Sequence, residues 1–350
     1  MRSSAPASRT ERLAILTSSF PREPGDPSGH FVLAEVRQLV SAGHDVSVLV
    51  PYATRLPADL ERKARVVQLP GGSLFGWPGA LPRLKTNPLR ALALPQWLTA
   101  ARRELRAGHY DRVIAHWLLP CGWPAASAFC GPLEIIVHGS DLELLSRLPL
   151  WLRRYVLREL LCSDVSPTRA TAARFRCVSA ALQDELLRLG KEAGLCEQRL
   201  AQQTTVQACA LDLGVVPSRA EARRLLGLDP QDFHALSVGR LIESKRVDRA
   251  LSCTQVPQHA HWTVLGDGPL LPALQARFPQ VRFIGAVPRP TALLWMRAAD
   301  VIVSASEREG APTVIREARA LGTAVWTSAV GDVALWAALD PGIRVLDELG

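Results

Sequence analysis

The sequence lacks the features of secreted, zinc-binding and membrane-spanning proteins. Its seven cysteines are odd in number and no two are spaced as C-x-x-C, which argues against a disulfide framework and a zinc site. No run reaches the roughly 18 uninterrupted apolar residues of a membrane helix, and the polar start MRSSAPASRTER has no apolar segment typical of a signal peptide. We therefore expect a soluble protein in a reducing cytoplasm.

The chain also has no basic tail and no block of like charge. Its formal net charge is +8 and its pI is about 9.5, yet the arginines are spread along the whole sequence. A nucleic-acid surface usually needs a concentrated basic patch, so we expect no nucleic-acid partner. Phosphate ligands or an anionic membrane face remain as partners of the positive charge.

What the sequence does have is an alternation of apolar strands and amphipathic helices over 350 residues, a length that suits two domains. The strands RLAILTS and DVSVLVP flank the helix FVLAEVRQLVSAG, and the same order returns from FHALSVGR onward. The G-x-G-x-x-G dinucleotide fingerprint is absent, because Leu271 occupies the third glycine position after Gly266 and Gly268. The sequence predicts an α/β protein without a nicotinamide or flavin site.

Two stretches are less regular. Residues 54–108 are rich in proline, leucine and arginine; we predict a loop with exposed aromatic side chains at GGSLFGWPGALPRL and a helix broken at Pro95. Residues 191–203, KEAGLCEQRLAQQ, are predicted to be a polar connector between the domains.

The chain is organised around residues 301–331. The β-branched run VIVSAS predicts a strand, and the helix IREARALG ends at a glycine cap. Glu309 falls on the loop between them, at the edge where open α/β sheets bind ligands, and Glu317 falls about one turn inside the helix. The free N–H groups of a helix beginning near Pro312 suit a diphosphate, and a carboxylate suits vicinal sugar hydroxyls, although a glutamate there is also a common helix-dipole partner.

The string E-G-x-P-x4-E-A from Glu309, followed by Gly322 and Gly331, resembles the signature of the retaining, nucleotide-sugar-dependent glycosyltransferases of family 4. The opening loop SFPREPGDPSGHF, the H-G-x-D piece at His138 and the G-R-x-x-x-x-K piece at Gly239 resemble the same family. The resemblance implies the GT-B architecture, which has two doubly wound Rossmann-like domains facing across a cleft. It also implies transfer of a hexose from a nucleoside diphosphate sugar to a hydroxyl, with retention.

On this basis the domains are residues 1–188 on the acceptor side, a crossover and linker at 189–232, and a nucleotide-sugar-binding domain at 233–350 that is short at its C-terminus. In the last domain, Arg240 stands at a strand end with Lys245 five positions later, and a departing diphosphate needs such positive charge.

On the first domain, two predicted strands each deliver a histidine, His116 and His138, to the same rim. A histidine at such a position is more often a packed structural residue than a chemical one. The resemblance implies that His138 lines the sugar pocket.

Two sets of site residues follow from these motifs. Those assigned to catalysis are His138, Arg240, Lys245 and Glu309. Those assigned to donor binding are Gly29, Gly239, Arg240, Lys245, Gly268, Val287, Glu309, Gly310, Ala311, Pro312, Thr313 and Glu317. No cofactor is expected, and no metal either, because side-chain cations serve the diphosphate and no D-x-D pair lies near the cleft.

The resemblance also implies which part of the donor each of these residues contacts. It implies that Gly29 lies near the diphosphate, that the nucleotide base lies near Val287, and that Glu317 and Glu309 hold the ribose and hexose hydroxyls respectively. The acceptor would be a glycan or a lipid-linked glycan in cell-surface polysaccharide or glycolipid assembly.

The helix LPLWLRRYVLRELLC carries Arg153, Arg154 and Arg158 opposite an apolar face. This is either an ordinary solvated face or a platform for anionic lipid, with Trp77 and Trp151 as candidate exposed aromatics. We expect a cytoplasmic protein with peripheral membrane contact.

Two other functions stay open at this level. A nucleotide-sugar 2-epimerase has the same fold and donor but needs acid and base carboxylates in its first domain. A non-catalytic nucleotide-sugar-binding protein is suggested by the short C-terminus and by Ala210, where the resembled family usually has a glycine.

Overall fold

The computed structural model describes residues 10–76, 79–161 and 173–347. The chain divides into two compact units, residues 1–178 with 182–210 and residues 179–181 with 211–350. In the described part of the chain each unit is built on one sheet whose strands pair in parallel. The predicted α/β class with two Rossmann-like units is confirmed.

The first sheet has seven described strands in the order β3-β2-β1-β4-β5-β6-β7. They are β1 (Arg12–Leu16), β2 (Asp45–Val50), β3 (Ala64–Gln68), β4 (Arg112–His116), β5 (Leu133–Val137), β6 (Arg174–Cys177) and β7 (Thr204–Val206). The α-helices in this part of the chain are α1 (His30–Ser41), α2 (Ala80–Thr86), α3 (Ala93–Ala107), α4 (Trp123–Ala128), α5 (Ser140–Arg147), α6 (Leu150–Leu161), α7 (Ala180–Glu192) and α8 (Glu197–Gln202).

The strand order of the first sheet reverses between β1 and β4, which pair with each other in the centre. Strands β1, β4 and β5 are almost continuous apolar runs because a parallel strand at the centre of a sheet is covered on both faces. Leu13 and Ile15 are fully buried, as are Val113 and Ile135. The loops that follow these three strands therefore meet at one edge of the sheet, next to the reversal.

The second sheet has six described strands in the order β10-β9-β8-β11-β12-β13, with the reversal between β8 and β11. They are β8 (His234–Val238), β9 (His261–Leu265), β10 (Arg282–Gly285), β11 (Val301–Ser304), β12 (Ala324–Thr327) and β13 (Ile343–Val345). The α-helices around it are α9 (Arg219–Leu226), α10 (Val247–Leu251), α11 (Leu271–Arg277), α12 (Arg289–Ala298), α13 (Thr313–Ala320) and α14 (Val333–Leu339). Its main core packs helices α12 and α13 onto β8, β11 and β12 through apolar residues that include Leu236, Ile302, Ile315 and Val325.

Two expectations for residues 54–108 are wrong. Phe75 is not an exposed aromatic: it is 2% exposed and its ring centroid lies 5.2 Å from that of Trp97. Helix α3 is not broken at Pro95, which is the third residue of the helix. The N–H groups of the first turn have no partner within a helix, so the N–H group that proline lacks costs nothing there. Trp77 lies outside the described residues.

The polar connector expected at residues 191–203 is also wrong. It contains helix α8, and it leads directly into β7, which pairs in parallel with β6 and forms the edge of the first sheet. Strand β7 has only three residues, so it carries too little periodicity to be recognised in the sequence.

Candidate active site

The reversal point of the second sheet brings a predicted cation and a predicted carboxylate together. Lys245 ends the short 3-10 turn Glu243–Lys245 after β8, and Glu309 lies in the loop after β11, the neighbouring strand. The Nζ atom of Lys245 forms an ion pair with Oε1 of Glu309, and both side chains remain partly exposed. The two loops are joined further by the Glu307 N–H group, which donates to the Ser244 carbonyl at 2.9 Å.

The other cations of this loop differ in their surroundings. Arg246 is held by two carboxylates, Oε1 of Glu307 at 2.6 Å and Oδ1 of Asp248 at 3.3 Å. Arg240 follows Gly239 directly after β8 and is partly buried. Lys245 is thus paired with a residue of the predicted donor site.

Glu317 has a partner that the sequence did not reveal. It is 4% exposed on helix α13, and the Nη2 group of Arg289 donates to its Oε1 at 2.6 Å. Arg289 opens helix α12 two residues after Val287, so it joins the two positions expected near the ribose and the base. The Nε atom of Arg289 is buried with no hydrogen-bond partner among the described residues.

The N-terminus of helix α13 is the predicted anion site. Its N-cap is Pro312, which provides no side-chain hydrogen bond, and the helix begins at Thr313, as the sequence predicts. The first N–H groups of a helix lack partners within it and favour an anion.

Two residues near the end of the 301–331 stretch, Ser328 and Gly331, hold the Glu309 loop in place. Gly331 has φ +51°, and a Cβ atom there would overlap the carbonyl oxygen of Gly310. The Ser328 hydroxyl donates to the Ser306 carbonyl at 2.7 Å. Gly268 has a similar role: a Cβ atom on it would overlap the carbonyl oxygen of Leu241, so it allows the loop after β9 to pack closely on the loop after β8.

In the first unit, four rings gather at the carboxyl ends of β4 and β5. The His138 ring centroid lies 4.6 Å from Trp117, 5.0 Å from Phe31 and 5.2 Å from His116. Trp117 has φ +70°, a left-handed conformation that is rare for a bulky residue and marks a constrained site. Both histidines lie at the same edge of the sheet, as predicted, but His116 is fully buried and His138 is partly exposed.

Asp141 of the H-G-x-D piece supports His138 through the backbone. Its buried carboxylate accepts hydrogen bonds from the N–H groups of Leu118 at 2.9 Å, Gly139 at 2.8 Å and His138 at 3.2 Å. Because these groups belong to the loops after β4 and β5, Asp141 locks the two loops together.

A charged network lies behind His138. Arg176 of β6 pairs with Glu35 of α1, and its Nε atom lies 3.3 Å from Oε1 of Glu134. Burial, assisted by the positive charge of Arg176, lowers the pKa of His138 to about 3. Burial likewise lowers the pKa of His116 to well below its ordinary value, so both rings are neutral near pH 7.

Gly29 closes the first loop onto helix α1. It is the N-cap residue with φ +60°, and a Cβ atom there would overlap the carbonyl oxygen of Ser19. Tyr52 secures the same loop, since its hydroxyl accepts from the Phe20 N–H group at 2.8 Å and donates to the Phe20 carbonyl at 2.9 Å. These contacts explain the glycine structurally, and its proximity to a diphosphate stays a prediction.

Two Rossmann-like units, one with a partly exposed lysine–glutamate pair at its strand reversal and the other with a neutral histidine, are the arrangement expected of a GT-B type glycosyltransferase. The family described as Glycosyltransferase Family 4 matches residues 28–195, and Glycosyl transferases group 1 matches residues 232–343. The chain belongs to this family, the family 4, group 1 glycosyltransferases.

Similar proteins agree with this assignment. A glycosyltransferase assigned to teichuronic acid biosynthesis, TuaC of Bacillus subtilis (strain 168), is 26% identical over 346 residues, covering 92% of this chain and 82% of TuaC. Sucrose-phosphate synthase from Thermosynechococcus elongatus has a TM-score of 0.69 and 19% identity, covering 96% of this chain and 86% of that structure. HepE of Anabaena in complex with UDP-glucose has a TM-score of 0.63 and 18% identity, covering 93% and 82%. The two solved structures share the fold.

Proposed function

We propose that this glycosyltransferase moves a hexose from a nucleoside diphosphate sugar to a hydroxyl, with retention, in the assembly of a cell-surface polysaccharide or glycolipid. The observation that carries the proposal is the Lys245–Glu309 pair at the reversal point of the second sheet. Open α/β sheets bind ligands at such points. The binding of UDP-glucose by HepE and the role assigned to TuaC support the donor class and the pathway type.

Each residue of the pair suits a different part of the donor. In the proposed complex, Lys245 leaves Glu309 and neutralises the diphosphate together with Arg240 and the N-terminus of α13. Glu309 then accepts hydrogen bonds from hexose hydroxyls, since an ionised carboxylate only accepts. Because Lys245 and Glu309 compensate each other when no donor is bound, neither charge is left isolated.

Catalysis in this scheme comes mainly from charge stabilisation. The bond between the anomeric carbon and the diphosphate oxygen breaks, and the acceptor oxygen bonds to the same face of that carbon while its proton passes to the departing phosphate. Negative charge grows on the diphosphate along this path, so cations held in place stabilise the transition state more than the bound donor. Glu309 and Glu317 orient the donor and do not act as an acid and base pair.

The decisive experiment is transfer from a panel of labelled nucleoside diphosphate sugars, with and without polyprenyl-linked acceptors. We expect a product whose anomeric configuration, read by NMR, equals that of the donor. We also propose that no metal is needed, so transfer should persist in excess chelator. Inversion, a strict magnesium or manganese requirement, or release of an epimerised sugar without transfer would each contradict the scheme.

We also propose that helix α6 contacts the membrane surface, although with fewer cations than the sequence suggests. Arg153 is committed elsewhere: it donates to Oε2 of Glu192 at 2.7 Å and to the Leu145 carbonyl at 3.2 Å. Arg154 and Arg158 are exposed. They share one face with exposed apolar residues, namely Leu150, Trp151 and Tyr155.

An exposed helix face that mixes aromatic and cationic side chains is typical of weak attachment to anionic lipid. No helix among the described residues has the length and hydropathy to cross a bilayer. We expect anionic vesicles to co-sediment the chain at low salt and Arg154→Ala/Arg158→Ala to reduce binding. Arg62→Ala/Arg224→Ala, which removes two exposed cations elsewhere, is the control. Equal binding by both double variants would make the face an ordinary solvated one.

A further inference from the structure

A row of polar groups, of which Glu35, Arg176 and His116 are buried, runs from helix α1 to His138. Glu35 pairs through Oε1 with Arg176, and its other oxygen, Oε2, lies 3.4 Å from Nε2 of His116. The Nδ1 atom of His116 lies 3.1 Å from Nε2 of His138. The four residues come from α1, β6, β4 and the end of β5, so the fold assembles the row from distant parts of the sequence.

The two ends of the row determine where its protons lie. Burial raises the pKa of Glu35, but the guanidinium group of Arg176 is positively charged and only donates, so this contact favours the ionised, accepting form of Glu35. The facing atoms Glu35 Oε2 and His116 Nε2 are both buried, 3.4 Å apart, and neither has a hydrogen-bond partner among the described residues. Because a buried polar atom without a partner is costly, the proton of His116 lies on Nε2, between these two atoms.

The position of that proton fixes the next ring. His116 is neutral, so its Nδ1 atom carries a lone pair and accepts from the Nε2–H group of His138. His138 then has a bare Nδ1 atom. The Sγ atom of Cys209 lies 3.9 Å from this Nδ1 atom and is a weak donor that a hydroxyl could replace.

We propose that Glu35 is a positioning residue that acts through His116 to hold His138 in the Nε2–H tautomer, with Nδ1 presented as the acceptor for a substrate hydroxyl. The hydrogen bond from a substrate hydroxyl to Nδ1 of His138 rests on the proposed function, whereas the tautomer of His138 does not. Glu35 itself is buried.

The tautomer can be read directly from the wild-type chain. The eight histidines are labelled with ¹⁵N, and a long-range ¹H–¹⁵N correlation at neutral pH distinguishes protonated from bare ring nitrogens. His138→Asn and His116→Asn identify the two rings by subtraction. We expect Nε2 of His138 to be protonated and Nδ1 to be bare. The opposite pattern in the wild-type chain overturns the proposal, whatever the variants do.

Glu35→Gln gives a sharper test because it should reverse the tautomer. The glutamine oxygen is kept by Arg176, so its NH₂ group faces Nε2 of His116, which must then accept. The protons of His116 and His138 both move to Nδ1. The control is Glu134→Gln, because Oε1 of Glu134 also lies beside Arg176, 3.3 Å from its Nε atom. Unchanged tautomers in Glu35→Gln, or reversal in Glu134→Gln, overturn the relay.

An activity arm separates the relay from the proposed function. A reversed His138 presents an N–H group where a hydroxyl needs an acceptor, so Glu35→Gln should lower kcat/KM by about tenfold and Glu134→Gln should not. If the tautomer reverses and turnover is unchanged, the proposed hydrogen bond from the substrate hydroxyl to His138 is overturned and the relay is kept. Expected tautomers in a wild-type chain that transfers no sugar support the relay and contradict the proposed function.

Discussion

The two sheets of this protein each carry an ion pair near the strand reversal, but the pairs differ in their access to water. In the first unit, the side chains of Glu35 and Arg176 are 9% and 8% exposed. In the second, the side chains of Lys245 and Glu309 are 24% and 20% exposed. A buried charge that loses its partner cannot be rescued by water, whereas a partly exposed one can be rescued by water or by a ligand.

This difference separates two uses of charge in one fold. The Glu35–Arg176 pair must be complete whenever the unit is folded, so it suits the fixed positioning of His116 and His138. The Lys245–Glu309 pair can open without leaving a charge stranded in an apolar interior, so it suits a site whose occupant changes during turnover. Equal behaviour of the two pairs on mutation would break the comparison.

The largest expected effect is on stability. Glu35→Ala leaves Arg176 buried beside only the more distant Glu134, and should lower the free energy of unfolding by about 3–5 kcal/mol. Glu309→Ala should cost less than about 1 kcal/mol, because Lys245 can be hydrated. Urea unfolding of both variants measures the difference. Similar losses would show that exposure does not distinguish the two pairs.

The next effect is on turnover. Lys245→Ala should lower kcat by roughly 10²–10³-fold with a smaller change in the KM for the donor, because the diphosphate charge develops mainly in the transition state. Arg246→Ala is a matched control, since this adjacent cation is already engaged by Glu307 and Asp248. If Lys245→Ala changes KM alone, the lysine contributes only uniform binding.

Glu317→Ala should weaken the binding of a nucleoside diphosphate by about 2 kcal/mol, because a charge-assisted contact to the ribose is lost. Calorimetry with UDP and other nucleoside diphosphates measures this effect. Since Glu317 is buried against Arg289, thermal unfolding must be followed in parallel. Glu307→Ala, which removes a more exposed carboxylate of the preceding loop, should leave the affinity unchanged. Unaltered affinity in Glu317→Ala would remove the ribose role.

The proximity of Lys245 and Glu309 could be predicted from the sequence because it depends on two short local segments. Lys245 and Glu309 each follow a recognisable strand, and the carboxyl ends of adjacent parallel strands bring such residues together. The alternation of strands and helices likewise predicted both sheets. In these cases a short stretch of sequence was sufficient for the prediction.

The first network could not be predicted in the same way, since Glu35 and Arg176 are 141 positions apart. The available signal was a glutamate within the apolar stripe of the α1 sequence FVLAEVRQLV, which indicates a buried charge but not its partner. Arg153 shows the reverse error: its sequence position suggests a solvated face, and tertiary contacts with Glu192 and the Leu145 carbonyl override it.

The smallest expected effect concerns pH and belongs to the buried network. The pKa of His138 is about 3 in the folded protein, below the value of about 6.5 expected when unfolded. Below pH 6.5 the unfolded chain therefore binds a proton that the folded chain does not, and the contribution of His138 to stability is lost as the pH falls towards 3. Between pH 7.5 and 5.5 this loss should be about 1 kcal/mol by proton linkage. His138→Asn should remove that part of the loss. The measurement is urea unfolding of the wild-type and variant chains at both pH values. The comparison cancels the groups that the two chains share, including Glu35, whose pKa is raised by burial. An identical pH dependence in the two chains would mean that His138 becomes charged in the folded state, and the buried network would then lose its distinction from the exposed pair.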